Sequence, residues 1–167
     1  CLMLKSLSLD NQAARDAILT AFNAEGIDVN RIRLAGWIPK SKSPLSAYHE
    51  IDIALDTFPY NGTTTTFEAI WMGVPVISLE GNRHAGRVGA SILRALQLDD
   101  LLTMTTSDYV TASTVLAGDT GKLNSLRSVL RPTLKNSRLM DGPGFTQKME
   151  TALRQTWLNW CDRPADL

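Results

Sequence analysis

Two hydrophobic patterns, one typical of strands and one typical of helices, alternate along the first hundred residues of this chain. Short apolar runs bounded by turn residues predict strands at 2–7, 31–37, 51–56, 74–79 and 101–104. Apolar residues at helical spacing predict helices between Asn11 and Gly26 and at 43–50, 64–73 and 85–98. Strands and helices that alternate with short loops are typical of a parallel sheet covered by helices on both faces.

Beyond residue 107 the pattern is helical only, with helices predicted at about 107–117, 119–131 and 143–160. Pro132 and the DGPG segment at 141–144 separate these helices, because proline and glycine interrupt helical patterns. We therefore predict a single Rossmann-like α/β domain over residues 1–167, in which 107–167 form a helical C-terminal extension.

Composition and charge indicate which classes of binding partner the protein is suited to. The 167 residues carry 17 Lys and Arg against 17 Asp and Glu, so the net charge is zero and favours neither nucleic acid nor a membrane surface. We expect no signal peptide and no membrane span, since the apolar runs are too short. Cys1 and Cys161 lack the spacing of a disulfide framework or a zinc site, which favours a reducing, cytoplasmic location.

A run of four threonines stands between the strand at 51–56 and the helix that follows, in the segment DTFPYNGTTTTFEA. Ligands of open parallel sheets bind beyond the carboxyl ends of the strands. Gly62 permits a close backbone approach there, and the amides after it form a helix N-terminus, which attracts anions such as phosphate. The hydroxyls of Thr63, Thr64 and Thr65 add further donors at the same place.

A carboxylate follows one helical turn later, at Glu68, four residues after Thr64. A carboxylate disfavours phosphate but suits a sugar hydroxyl, as in the ribose-binding acids of nucleotide folds. Phosphate donors beside one hydroxyl acceptor predict a nucleotide site. The alternative is an ordinary turn in which a threonine caps the helix.

The segment IDIALDTFPYNGTTTTFEAIWMGVPVISLEGNRHAGRVGASIL, at 51–93, closely resembles the O-linked N-acetylglucosamine transferase and SPINDLY family. It is most similar to the C-terminal catalytic half of the bacterial members, and the resemblance continues more weakly into 31–40 and 137–161. The resemblance implies one half of a double-Rossmann (GT-B) glycosyltransferase, usually preceded by tetratricopeptide repeats.

The resemblance also implies a nucleotide-sugar site made of diphosphate, ribose and base contacts. By this resemblance, Thr64 and Thr65 bind the diphosphate, with Thr63 beside them. Glu68 binds the ribose. The base is held by the backbone of Ile38 and by Lys40. For His84 and Arg87 two interpretations stay open: contact with the phosphates or the acceptor, or ordinary loop and helix-start positions. Where the family carries a histidine against the base, this chain has Pro44, which can pack on a base but cannot donate a hydrogen bond.

The activity implied by the resemblance is transfer of N-acetylglucosamine from UDP-N-acetylglucosamine to Ser or Thr hydroxyls of a protein, with no metal or other cofactor. The family's catalytic groups lie upstream of where this chain begins, and the first residue is Cys1 rather than Met. We therefore expect a fragment that holds no catalytic residue, lacks the N-terminal half and is inactive alone. The alternatives are a GDP-fucose-dependent protein O-fucosyltransferase and a non-catalytic module that binds a nucleotide or a partner.

Overall fold

The structure is a computed structural model, and it describes residues 1–36 and 43–162. The chain groups into two compact units, Cys1–Ile51 and Asp52–Leu167. The single domain expected for residues 1–167 stays a prediction.

Strands and helices alternate as the hydrophobic pattern predicts. The strands are β1 (Leu2–Lys5), β2 (Ile32–Ala35), β3 (Ala54–Leu55), β4 (Val76–Leu79) and β5 (Leu102–Thr103). The α-helices are α1 (Gln12–Ala24), α2 (Thr64–Trp71), α3 (Val88–Ala95), α4 (Thr106–Gly118), α5 (Thr120–Lys135) and α6 (Gly142–Cys161). Short 3₁₀ helices lie at Leu7–Asp10, Val29–Arg31, Pro44–Glu50, His84–Gly86, Asp99–Leu101 and Arg138–Met140.

The first unit is a two-stranded parallel sheet with one α-helix. Strand β1 pairs with β2 so that Leu2 lies opposite Ile32. Helix α1 begins at Asn11, whose side chain accepts a hydrogen bond from the Ala14 amide at 3.2 Å. It is followed by Gly26, whose φ of +74° is readily adopted only by glycine.

The second unit contains a three-stranded parallel sheet in the order β3-β4-β5. The central strand β4 is buried, with Ile77 and Ser78 both at 0% exposure. Burial of these two consecutive residues, whose side chains point to opposite faces, fits a strand covered on both faces. Strand β3 has only two residues, shorter than the predicted 51–56, although the Asp56 amide still donates to Ile77 O at 2.9 Å. The α/β class with parallel strands is confirmed.

The chain after β5 is helical as far as it is described, but one predicted helix end is wrong. Pro132 lies inside α5 instead of ending it. Leu130 and Leu134, on either side of this proline, are buried, and the Arg131 guanidinium lies 5.3 Å from the centroid of the Trp71 ring. This packing outweighs the backbone hydrogen bond that a proline removes from a helix.

Helix α6 follows the DGPG segment, and the Asp141 carboxylate accepts a hydrogen bond from the Gly144 amide at 2.9 Å at its start. None of the residues described in this helix is buried. The rings of Trp157 and Trp160 stack on each other with centroids 5.3 Å apart. Within residues 1–36 and 43–162, no helix has both the length and the apolar character needed to cross a membrane.

Candidate functional site

The predicted nucleotide loop connects β3 to α2 at the carboxyl edge of the sheet, and a buried carboxylate closes it. Asp56, which follows β3 directly, is only 7% exposed. One oxygen of its carboxylate, Oδ1, accepts a hydrogen bond from the Gly62 amide at 2.7 Å. The other, Oδ2, accepts one from the Ser78 hydroxyl of β4 at 2.6 Å. The carboxylate therefore joins both ends of the loop to the central strand.

Tyr109 of α4 supports the same point of the sheet. Its hydroxyl donates a hydrogen bond to the backbone carbonyl of Asp56 at 2.8 Å. Burial raises the pKa of Tyr109 to about 12, and the nearby Asp56 acts in the same direction. Burial also raises the pKa of Asp56, although the hydrogen bonds from Ser78 and Gly62 oppose that shift.

Asn61 is the second buried polar residue of the loop, at 1% exposure. Its amide N–H donates to Ala85 O at 2.8 Å, and its side-chain Nδ2 donates to Thr57 O at 3.0 Å. Its Oδ1 accepts a hydrogen bond from the Gly89 amide at 3.3 Å. Because Gly89 is the second residue of α3, Asn61 caps an amide in the first turn of that helix from 28 residues away, while the side chain of the N-cap residue, Arg87, forms no capping bond within the described residues.

Sequence reasoning missed Asn61. The signal that points to it is an asparagine directly before a glycine in a turn, since asparagine side chains commonly bind the backbone of their own loop. No local signal indicates that the same side chain also caps a distant helix.

Two glycines bring the loop close to its neighbours. A Cβ on Gly62 would lie 2.5 Å from Thr65 Oγ1 and 2.9 Å from Thr66 Oγ1. A Cβ on Gly89 would overlap the Ser78 hydroxyl and the Asp56 carboxylate. The close neighbours of Gly62 belong to the first turn of α2, and the close approach of a ligand at Gly62 stays a prediction. We refer to Asp56, Asn61, Ser78 and Gly89 as the buried cluster.

The first turn of α2 exposes three of the four threonines. Thr63, Thr64 and Thr65 are exposed and are called the exposed threonines below, whereas Thr66 is buried. In the described part of the chain, the Thr63 side chain makes no capping hydrogen bond, so Thr63 is not the capping threonine of the alternative interpretation. Helices α1, α4, α5 and α6 all begin with such a bond. An uncapped helix start surrounded by hydroxyls is suited to an anion.

The remaining predicted site residues fall into three groups. Glu68 lies one turn further along α2 and is half-buried. His84 and Arg87 are exposed on the segment that Asn61 ties to the loop, and the Arg87 Nε donates to Gly81 O at 3.1 Å. The base contacts assigned to Ile38 and Lys40 lie outside the described residues.

Metal ligands are not grouped in this region. In residues 1–36 and 43–162, no three His, Cys, Asp or Glu side chains lie close enough together to hold a metal ion. The described site residues offer hydroxyl and amide donors, the carboxylate of Glu68 and the cationic side chain of Arg87.

Comparison with known proteins shows which family this chain resembles. The family model described as Glycosyl transferase family 41 matches residues 9–149. A protein of Solanum lycopersicum, named probable UDP-N-acetylglucosamine–peptide N-acetylglucosaminyltransferase SPINDLY, is 37% identical over 90% of this chain. A Caenorhabditis elegans protein, named UDP-N-acetylglucosamine–peptide N-acetylglucosaminyltransferase, is 32% identical over 64% of it.

A solved structure shows the same fold. A mutant of the Thermobaculum terrenum O-GlcNAc transferase aligns with 96% of this chain at a TM-score of 0.88 and 37% identity. The chain covers 31% of that structure's chain, 16% of the Solanum relative and 9% of the Caenorhabditis relative. The resemblance to this family is confirmed, while the bacterial type and the C-terminal half stay predictions.

Proposed function

Because this chain belongs to glycosyl transferase family 41, we propose that it is the nucleotide-sugar-binding part of a protein O-glycosyltransferase. The donor in this proposal is UDP-N-acetylglucosamine, and the acceptor is a Ser or Thr hydroxyl of a protein. The names of the Solanum and Caenorhabditis relatives support this donor and a peptide acceptor.

The observation that carries the proposal is the uncapped start of α2 beside the exposed threonines. The donor diphosphate binds there, where the helix N-terminus carries a partial positive charge and the hydroxyls donate. Glu68, one turn along, accepts a hydrogen bond from a ribose hydroxyl. On the segment that adjoins the loop, Arg87 adds positive charge near the phosphates and His84 contacts the phosphates or the acceptor.

The proposed reaction is a direct displacement at the anomeric carbon of the sugar. The acceptor oxygen forms the new bond while the bond from that carbon to the diphosphate oxygen breaks, and negative charge grows on the departing diphosphate. Donors from Thr64 and Thr65 stabilise this charge as it develops. Ile38 and Lys40 hold the base, and the groups that take up the acceptor proton lie in the N-terminal half that we expect upstream. We also propose that tetratricopeptide repeats precede that half and that the protein is cytoplasmic.

The test is calorimetric titration of the full-length natural protein with UDP and with GDP, in parallel with Thr64→Ala and Glu68→Ala. We expect UDP to bind, and Thr64→Ala to weaken it about tenfold or more, as loss of a hydrogen bond to a charged group does. Thr120→Ala is the matched control, because Thr120 is also exposed at the first position of a helix, α5, whose start the Asp119 side chain caps. It should leave the UDP affinity unchanged.

Each other outcome points to a different conclusion. Tighter binding of GDP than of UDP would replace the donor with a guanosine diphosphate sugar such as GDP-fucose. If neither nucleotide binds, the transferase proposal fails and the non-catalytic module remains.

A further inference from the structure

Three hydrogen bonds with groups outside the loop fix Asp56, one through its carboxylate and two through its backbone. Its Oδ2 accepts a hydrogen bond from Ser78 Oγ at 2.6 Å, and Ser78 is fully buried in β4. The Asp56 amide donates to Ile77 O at 2.9 Å, and the Tyr109 hydroxyl donates to the Asp56 carbonyl at 2.8 Å. The position of Oδ1 is therefore set by the sheet rather than by the loop.

The other carboxylate oxygen, Oδ1, binds the amide of Gly62, two residues before α2 begins at Thr64. Gly62 N–H donates to it at 2.7 Å, and this amide is thus already used inside the protein. Gly62 is also packed against the first turn of α2, since a Cβ there would come within 2.5 Å of Thr65 Oγ1. A displacement of Gly62 would displace the hydroxyls that follow it.

We propose that Asp56 is a positioning residue for the diphosphate site, acting through the Gly62 amide on the start of α2. The inference rests on the function proposed above and deepens it. An ionised carboxylate donates no hydrogen bond to a phosphate and repels its charge. Any gain in UDP affinity that Asp56 confers must therefore come from the geometry that it imposes on Gly62.

Two substitutions of the same residue separate geometry from charge. Asp56→Asn keeps an oxygen that can accept from the Gly62 amide, and its new amide group can donate to the Ser78 hydroxyl. Asp56→Ala removes both contacts. The UDP affinity of the full-length natural protein is measured by calorimetry at a temperature well below the melting temperature of each variant, so that only folded molecules are compared.

We expect Asp56→Asn to stay within about threefold of the natural protein and Asp56→Ala to weaken UDP binding about tenfold or more, in line with the loss of a buried charged hydrogen-bond partner. Asp52→Ala is the matched control, because Asp52 is an exposed carboxylate on the preceding segment whose Oδ1 lies 3.5 Å from Arg127. Its removal should leave the affinity unchanged.

A double-mutant cycle with Thr64→Ala provides a measurement that a purely structural role would not affect. If Asp56 acts through the exposed threonines, Thr64→Ala loses part of its effect in the Asp56→Ala background, and the two effects are not additive. Fully additive effects, or an Asp56→Ala variant that melts earlier but binds UDP normally, would overturn the proposal. Tighter UDP binding by both Asp56 variants would also overturn it, because charge rather than geometry would then dominate.

The outcomes for the two proposals can be told apart. If Thr64→Ala weakens UDP binding while Asp56→Ala does not, only the positioning role is lost. If the natural protein does not bind UDP at all, the proposed function fails and the positioning role fails with it. Should Asp56→Ala not fold, Ser78→Ala replaces it: releasing Oδ2 should weaken UDP binding several-fold, and an unchanged affinity would overturn the positioning role.

Discussion

The buried cluster and the exposed threonines are neighbours in sequence, yet their polar groups are used in opposite ways. Both oxygens of Asp56 and both polar atoms of the Asn61 side chain have partners inside the protein. Across the described residues, no buried side-chain nitrogen or oxygen is without a hydrogen-bond partner. The exposed threonines instead surround a helix start that no Thr63 side-chain bond closes. The buried cluster stabilises the loop, whereas the exposed threonines are the residues for which we propose a ligand.

This difference predicts that the two regions respond differently to substitution. Substitutions in the buried cluster should reduce the free energy of unfolding, and those of Asp56 and Ser78 should also reduce the affinity for UDP. Substitution of Thr64 should reduce the affinity for UDP and leave the free energy of unfolding nearly unchanged.

The largest loss of stability is expected from Gly89→Ala. The added Cβ would overlap the Ser78 hydroxyl and the Asp56 carboxylate, both fixed by hydrogen bonds, so we expect a cost of about 2–3 kcal/mol, as for overpacking in a core. Urea unfolding of the full-length protein measures it. Gly118→Ala is the control, because a Cβ at Gly118, the last residue of α4, would have nothing within 4 Å. Equal stability of the two variants would show that the cluster can rearrange.

Asn61→Ala should cost somewhat less. It removes the donor to Thr57 O and leaves the Gly89 amide without its acceptor, so we expect a loss of about 2 kcal/mol, typical of a buried group whose partner is deleted. Asn124→Ala, an exposed asparagine in α5, is the control and should change stability little. A loss for Asn61→Ala as small as that of the control would contradict the capping role.

Tyr109→Phe removes the hydrogen bond to the Asp56 carbonyl, and we expect a smaller loss of stability that depends on pH. Near neutral pH, loss of the hydrogen bond to the Asp56 carbonyl should cost about 1 kcal/mol. Since the pKa of Tyr109 rises from 10.0 to about 12 on folding, the folded state binds more protons than the unfolded state between these values. Its contribution to stability is therefore lost as the pH rises from 10 to 12.

The measurement is urea unfolding at a series of pH values. The stability advantage of the natural protein over Tyr109→Phe should fall from pH 10 to pH 12 and pass through zero, because a rise of the pKa from 10.0 to about 12 corresponds to more free energy than one hydrogen bond. Tyr60→Phe, at a tyrosine that is 72% exposed, should leave the pH profile unchanged. A difference that stays constant over this range would mean that the Tyr109 hydroxyl is not held in the protonated form by the fold.

The elements that sequence predicts correctly depend on contacts within a few residues. The hydrophobic pattern locates the strands and helices, and the starts of α1 and α6 are recognisable because Asn11 and Asp141 bind amides three residues ahead. The buried cluster escapes prediction because its bonds join residues 22 and 28 positions apart. Pro132 misleads for the same reason, since burial of its neighbours through contacts between helices decides the length of α5.

Some features of the candidate site can be predicted from the sequence, and others cannot. The loop, its glycine and its exposed hydroxyls follow from the local sequence and from the position after a strand. A structural role for Asp56 at the start of the loop is also predictable, but its bond to the central strand is not, because nothing in the local pattern links Asp56 to Ser78. The roles of Thr63, Thr64, Thr65 and Glu68 in binding a nucleotide sugar, like those of Ile38 and Lys40, stay predictions.

The smallest effect on stability, and the most informative one, is expected from Thr64→Ala. Thr64 is exposed at the first position of α2, and alanine is a better helix former than the β-branched threonine, so we expect stability to stay equal or to rise by a few tenths of a kcal/mol. Thr120→Ala should raise stability in the same way. Only Thr64→Ala should weaken UDP binding, so its two effects have opposite signs. If Thr64→Ala instead lowers stability by about 1 kcal/mol, the range expected for loss of an N-terminal cap, the hydroxyl serves the fold and the ordinary turn is the better interpretation.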